Sequence, residues 1–434
     1  MKRLVCGIAF VAVVSASTAA IAQDKMTLKE AAELLLKNSE QVRIAQESVA
    51  GAELKINESK SLYWPQANVT GNYTRMSLFG EFSIPYQGQM MTIKFGTPNN
   101  YNFRASVMEQ VFTWGRVGKT VEMSKSGLDL AQDGVLLAKH MLSYQVVPLF
   151  YGTLFFREAI KVLDENLKNF EAKLAIMSQR YQAGLASSFD MNLIQVQISG
   201  LQSQKVDFEN SIHKFRIAYN ALTGRPETAP FEPDGRLALE PTAFEEAALV
   251  QEALANRIEF RQIQHQVNLG QASLGLAKTG NKPTLTASFN YEFRNGFMPE
   301  MDKIKGNWTA LLAVTYPAFD GFRVASQVAQ AESNLRAVEM RKTDQERTVT
   351  MEIQSALADL KTTVRKLEIE NVKIKQAEDA LHIAEERYKN GLLSATDLID
   401  AQNALESARL NVLQLIYTHT LSRYNLFRSC GRKI

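Results

Sequence analysis

The sequence predicts an α+β membrane protein built as an internal duplication, with long antiparallel coiled-coil helices and four short strands per chain of a bilayer-crossing kind. Three observations carry this. RYQAGLASSFD (180–190) lies over RYKNGLLSATD (387–397) with six of eleven positions identical, a shift of 207 residues. Two segments, about 117–181 and 323–388, run without a glycine–proline turn cluster and carry an apolar stripe every seven residues. Four runs of about ten residues alternate apolar with polar side chains.

Taken from the N-terminus, residues 1–22 read as an export signal. Lys2 and Arg3 precede an apolar run from Leu4 to Val14, and Ala20-Ile21-Ala22 offers a small-x-small cleavage site. The apolar run is too short to span a bilayer. Cys6 lies near the start of that run and not at its end, so it is not a lipid-attachment cysteine; after cleavage Cys430 stands alone and no intrachain disulfide forms. Beyond the signal, no apolar stretch approaches the ~20 residues of a membrane helix. A chain of 434 residues, 45% hydrophobic with net charge +3, is not of disordered type and presents no basic field for nucleic acid.

The duplication divides the remainder into a first repeat (23–223), a joint (224–243) and a second repeat (244–434). The joint holds four of the eleven prolines and is turn-rich, not helical. Each repeat opens with a helix, 27–62 or 245–281, which Pro65 or Pro283 stops just beyond its end. Two strands follow, 66–76 and 102–112 in the first repeat, 284–294 and 307–317 in the second. In the third, Leu285, Ala287, Phe289, Tyr291 and Phe293 alternate with polar neighbours, whereas Glu109 interrupts the alternation of 102–112. A half-buried soluble strand alternates in the same way, so this pattern does not choose between membrane and water.

The helices weigh toward the membrane reading. At ~1.5 Å per residue each long segment would extend roughly 100 Å, far beyond a globular helix. Ile353, Leu360, Leu367, Ile374, Leu381 and Tyr388 recur every seven residues, and the shifted set is Val146, Thr153, Ile160, Leu167, Leu174 and Tyr181. Such a repeat specifies coiled-coil packing. The companion positions Leu357, Val364, Asn371, Glu378 and Glu385 become polar toward the C-terminal end, as a seam opening onto water would. Pro148 should kink or break the first long helix. Gly184 and Gly391 end the long helices, and return helices cover 188–222 and 395–429. Four strands cannot lie in lipid with open edges, because unpaired N–H and C=O groups would have no partner, so two or more chains must share one barrel.

The leader, the duplicated order, the R-Y-x-x-G-L-x-S pair and the Phe-x-x-Gly-Arg strand exit (Phe112, Gly115, Arg116) resemble the TolC-type outer-membrane efflux proteins, or outer membrane factors. The resemblance spans about 24–429. It implies a homotrimer whose strands share one outer-membrane β-barrel, continuous with a periplasmic α-barrel. It further implies a passive exit duct of a tripartite efflux pump or type I secretion system, for drugs, small molecules or exported proteins. The implied partners are a periplasmic adaptor (membrane fusion) protein, an inner-membrane transporter and outer-membrane lipid, with no nucleic acid and no cofactor. The alternative is a periplasmic coiled-coil adaptor or scaffold, which would show one hairpin flanked by soluble β-domains. A porin-like channel fits so much helix poorly.

No nucleophile motif, phosphate loop, paired-cysteine pattern or metal-ligand spacing appears, and His140, His213, His265, His382 and His419 are scattered singly. No catalytic or metal-ligating residue is expected, and the chain is not expected to be an enzyme. Gly184, Leu185 and Ser187, with Gly391, Leu392 and Ser394, form the tips; chemistry alone makes the glycines left-handed C-caps and the serines N-caps. The resemblance adds adaptor docking. Residues 77–101 and 295–306 become extracellular loops. The family's periplasmic gate falls on Asp397 and Asp400, with Asp190 and Tyr388 beside it. Ser187-x-x-Asp190 and Ser394-x-x-Asp397 also have capping-box spacing, while Asp400, matched by Leu193, has no capping role. Leu393 stands where some relatives carry a base, so closure is expected to rest on Tyr388 hydrogen bonding and helix packing. A ring of acids would favour cations and be blocked by multivalent ones.

Overall fold

The computed structural model describes residues 25–77, 80–94, 96–184, 187–240 and 244–434. The signal expected over 1–22 and the tip residue Leu185 lie outside them. The chain runs β1 (Lys25–Met26), α1 (Leu28–Asn38), α2 (Glu40–Ser61), β2 (Gln66–Arg75), β3 (Glu81–Tyr86), β4 (Gln89–Lys94), β5 (Asn99–Phe112), α3 (Arg116–Gln182) and α4 (Ser188–Thr223). After β6 (Glu232–Pro233) come α5 (Glu246–Asn256), α6 (Ile258–Ala277), β7 (Thr284–Arg294), β8 (Lys305–Thr315), α7 (Arg323–Lys389) and α8 (Ala395–Ser429). Helix, strands, long helix and return helix therefore occur twice in the same order.

β2, β5, β7 and β8 form one antiparallel sheet in that order, so β5 and β7 join the halves while β2 and β8 are left as edges. Alternation sorts the faces. Phe103 opposes Phe293 and Val107 opposes Phe289, and across the next pair Tyr291 opposes Trp308 and Leu285 opposes Val314. On this face Phe103, Trp308, Leu312 and Val314 are exposed. The opposite face carries the Arg104–Glu292 ion pair at 2.9 Å. A single chain thus presents an apolar face, a polar face and two unpaired edges. Among the described residues, no helix is long and apolar enough to cross a membrane.

Several elements depart from the sequence expectation. The helices expected over 27–62 and 245–281 are each two helices, broken where Ser39 and Arg257 adopt extended backbone. At the second break the buried Arg257 guanidinium donates to Glu352 at 2.6 Å, Glu259 at 2.7 Å and the Ser429 carbonyl at 3.3 Å. The ion pair to Glu352 of α7 and the bond to the α8 carbonyl, with the local pair to Glu259, hold the interruption. Pro148 leaves α3 unbroken, because its missing N–H removes one bond of a long ladder that the buried neighbours Val146, Val147 and Phe150 hold in place. The connection expected over 77–101 contains the β3–β4 hairpin, turned by Gln87 and Gly88, whose φ values of 52° and 79° suit a hairpin of opposite-handed turn. β5 starts at Asn99 instead of 102, and β8 sits two residues earlier than expected.

Three apolar clusters hold the helices. In the first repeat, Leu35 of α1 packs with Leu142, Val146 and Phe150 of α3, and with Tyr219 and Phe231. Its second-repeat counterpart gathers Leu249, Ala253, Val349, Ile353, Leu357 and Leu426. The third crosses between hairpins near the tips, where Leu163, Leu167, Phe170 and Met177 of α3 meet Ile194 and Ile198 of α4 and Ala395 and Ile399 of α8.

Candidate functional site

Both tips are built by local backbone chemistry. Gly184 (φ 72°) and Gly391 (φ 71°) take the left-handed conformation that ends α3 and α7 and that a Cβ would strain. Their N–H groups donate to the carbonyls of Tyr181 at 2.9 Å and Tyr388 at 3.1 Å. Ser187 then starts α4: its hydroxyl accepts from the Asp190 N–H at 3.2 Å, and its hydroxyl and N–H donate to Asp190 Oδ2 at 2.8 and 3.4 Å. Ser394 starts α8, accepting from the Asp397 N–H at 3.1 Å and donating to Asp397 Oδ2 at 2.6 Å. The carboxylates of Asp190 and Asp397 therefore cap helices whatever else they do.

The expected gate residues lie close together but differ in setting. Asp397 and Asp400 are exposed at the start of α8, while Asp190 is half-buried. Among the described residues Asp400 has no hydrogen-bonding or ion-pairing partner, consistent with its lack of a capping role. Gly184, Ser187, Gly391, Leu392 and Ser394 are all exposed, Leu392 at 75%. Leu393 is half-buried and supplies no charge to Asp190. Tyr388 lies at the seam: the Arg180 guanidinium sits 5.7 Å from its ring centroid, and its hydroxyl donates to Met177 Sδ at 3.7 Å. Sulfur is a weak acceptor, so this bond is a poor latch. Burial raises the Tyr388 phenol pKa; Arg180 opposes the rise and Asp190 adds to it, which places Tyr388 within electrostatic reach of that acid.

Behind Tyr388 is a cavity of about 200 Å³ walled by Phe170, Ile176, Met177, Ile194, Leu398 and Ile399. At its rim Lys173 Nζ donates to Gln402 Oε1 at 2.8 Å and lies 3.5 Å from Glu385 Oε1. Burial lowers the Lys173 pKa and Glu385 counteracts it. Asn166, Gln402 and Glu406, buried in this seam, were not singled out by the sequence. The available signal was polar residues interrupting an apolar face, with Asn166 between Leu163 and Leu167, and Gln402 and Glu406 one turn apart. The site can present carboxylates to water at a helical tip and hold two hairpins together. Among the described residues, no group of His, Cys, Asp and Glu is arranged to hold a metal ion.

The family described as "Outer membrane efflux protein" matches residues 31–225 and 249–432. The "Probable efflux pump outer membrane protein TtgC" of Pseudomonas putida is 20% identical over 411 residues, covering 93% of this chain and 82% of that protein. The "Outer membrane protein TolC" of Vibrio cholerae is 20% identical over 381 residues, covering 87% and 84%. The "Probable outer membrane lipoprotein SilC" of Salmonella typhimurium is 20% identical, covering 91% and 84%. Among solved structures, CusC superposes with TM-score 0.76 at 15% identity, covering 94% of this chain and 93% of that one. VceC from Vibrio cholerae superposes with TM-score 0.72 at 16% identity, covering 94% and 96%.

Proposed function

The chain belongs to the outer membrane efflux protein family, and from that premise we propose that it is the outer-membrane exit duct of a tripartite efflux pump or a type I secretion system. The observation that carries the reading is the four-stranded sheet with two open edges, joined directly to two long helical hairpins. Its edges find partners in lipid only if β2 of one chain pairs with β8 of the next, closing a barrel shared within a homotrimer. The two repeats, 23–223 and 244–434 about the joint 224–243, then each contribute one strand pair and one hairpin. Transport is passive, and the chain acts as a channel and not as an enzyme.

In this reading the tips at Gly184, Leu185, Ser187, Gly391, Leu392 and Ser394 meet a periplasmic adaptor protein that couples the duct to an inner-membrane transporter. Asp397 and Asp400 ring the periplasmic aperture, with Asp190 and Tyr388 beside them, and the loops 77–101 and 295–306 face the outside. The leader is removed after Ala22 without lipidation, which the intact mass of the mature protein tests. Function is tested by restoring export in cells that lack their own duct but keep a cognate adaptor and transporter. Restored export with one transporter class supports the reading and assigns the class. A correctly assembled trimer that restores none overturns it.

A further inference from the structure

A chain of polar side chains crosses the buried seam between the two hairpins, further from the tips than the gate acids. Asn166 of α3 and Gln402 and Glu406 of α8 are 5%, 4% and 8% exposed. The Gln402 Nε2 group donates to Asn166 Oδ1 at 2.7 Å, the Asn166 Nδ2 group donates to the Glu406 carboxylate, and Gln402 Oε1 accepts from Lys173 at 2.8 Å. Both ends of both amides thus bond across the seam. Gln402 and Glu406, one turn apart, share a face of α8, and Asn166 fits between them. Leu163, Leu167 and Phe170 surround the group with apolar side chains.

Such a group has two good states. Either every bond is made, or the helices part and water replaces the bonds. A partial slide of α8 along α3 would strand buried amides and a buried carboxylate, the arrangement with the largest penalty. A single buried polar contact is a known means of setting register in a coiled coil. Asp400 lies two residues before Gln402 on the same helix. The register set at Gln402 therefore fixes where Asp397 and Asp400 stand. The duplication does not repeat the device: the equivalent positions hold Lys373, Gln195 and Ser199.

We propose that Asn166, Gln402 and Glu406 are positioning residues, a register latch that holds α8 on α3 and keeps Asp397 and Asp400 at the closed aperture. This rests on the reading of those acids as the gate. Burial raises the Glu406 pKa while the Asn166 bond lowers it, as a carboxylate enclosed with an amide as its partner should behave.

The experiment measures conductance and cation selectivity of assembled trimers in planar bilayers, with size in detergent confirming assembly. N166D sets a second carboxylate against Glu406 and should raise the time-averaged conductance roughly tenfold. The pair N166D/E406Q moves the carboxylate to α3 and an amide to α8, and should return conductance to the wild-type level. A merely structural role predicts no such rescue. Wild-type conductance in N166D, or a pair as leaky as N166D, overturns the latch. If N166D does not assemble, Q402M, of similar volume but without donor or acceptor, is read instead; it should leak, and wild-type conductance overturns the proposal. D397A/D400A, measured in parallel, separates the two readings. Unchanged selectivity there refutes the gate, whereas lost selectivity with a tight N166D refutes only the latch.

Discussion

The two hairpins come from one duplicated unit, yet they are anchored differently. α3 buries Tyr144, Phe150 and Phe170, while the equivalent positions of α7 hold Met351, Leu357 and Ala377. Phe170 is fully buried, and Met351 is 63% exposed in the single chain. α3 also serves as the wall for α1, α2, α4, α6 and α8. The first hairpin is a scaffold filled by aromatic side chains. The second is a thinner element leaning on it, and the acids Asp397 and Asp400 are on that second hairpin. The comparison teaches that duplication supplies matching geometry, while divergent packing decides which copy can shift at low cost.

Four measurements break or sharpen this contrast. The largest effect is expected at the tip seam, where Phe170→Ala leaves a cavity and should cost ~3–5 kcal/mol, against ~1 kcal/mol for Ala377→Gly. Denaturant unfolding of the assembled protein reads both, and equal losses would remove the distinction between scaffold and leaning hairpin.

The second measurement compares acids. D397A/D400A should lower cation selectivity and multivalent-cation block several-fold, while D190A in the first hairpin should change them less. A larger effect from D190A would reverse the assignment.

The third concerns pH. Because burial raises the Glu406 pKa above the ordinary carboxylate value, the folded seam holds that proton more tightly than the unfolded chain does. Its contribution is complete below the ordinary value and is lost as pH rises through the raised one. Lys173 and Glu385 flank the same seam, and Arg409 pairs with Glu165 and Glu378 nearby. Thermal unfolding from about pH 4 to about pH 7 should therefore show wild-type stability falling relative to E406Q, since carboxylates with lowered pKa such as Glu252 and Glu259 contribute equally to both curves. Parallel curves would count against a raised pKa.

The smallest effect is at the caps. S187A and S394A each remove the hydroxyl that accepts the Asp190 or Asp397 N–H and should each cost ~1 kcal/mol, because alanine keeps the backbone N–H and loses the same hydroxyl bonds at both caps. Clearly unequal losses in denaturant unfolding would show that the two hairpins do not rely on their caps alike.

Much of the site was legible because it is local. Gly184 and Gly391 end helices, and Ser187 and Ser394 start them, through bonds that span a few residues. Ser187 with Asp190, and Ser394 with Asp397, show their chemistry in a four-residue window. The break at Arg257 was not legible, since its carboxylate partner Glu352 is 95 residues away. The weak Tyr388 contact to Met177 was also hidden, because its partner lies 211 residues away.

Contiguous residues settle what repeats along the chain: the two long helices through their seven-residue stripe, the strands through alternation, and the tips through glycine and serine. These are periodic or short-range effects, so neighbouring side chains contain the whole cause. Packing settles the rest. It places β5 beside β7 so that the repeats join with β2 and β8 at the edges. It also brings Asn166 to Gln402 and Glu406 across 236 and 240 residues of sequence. A hydrogen bond is selected by distance and direction in space, and no pattern in the intervening chain encodes which distant amide will arrive there.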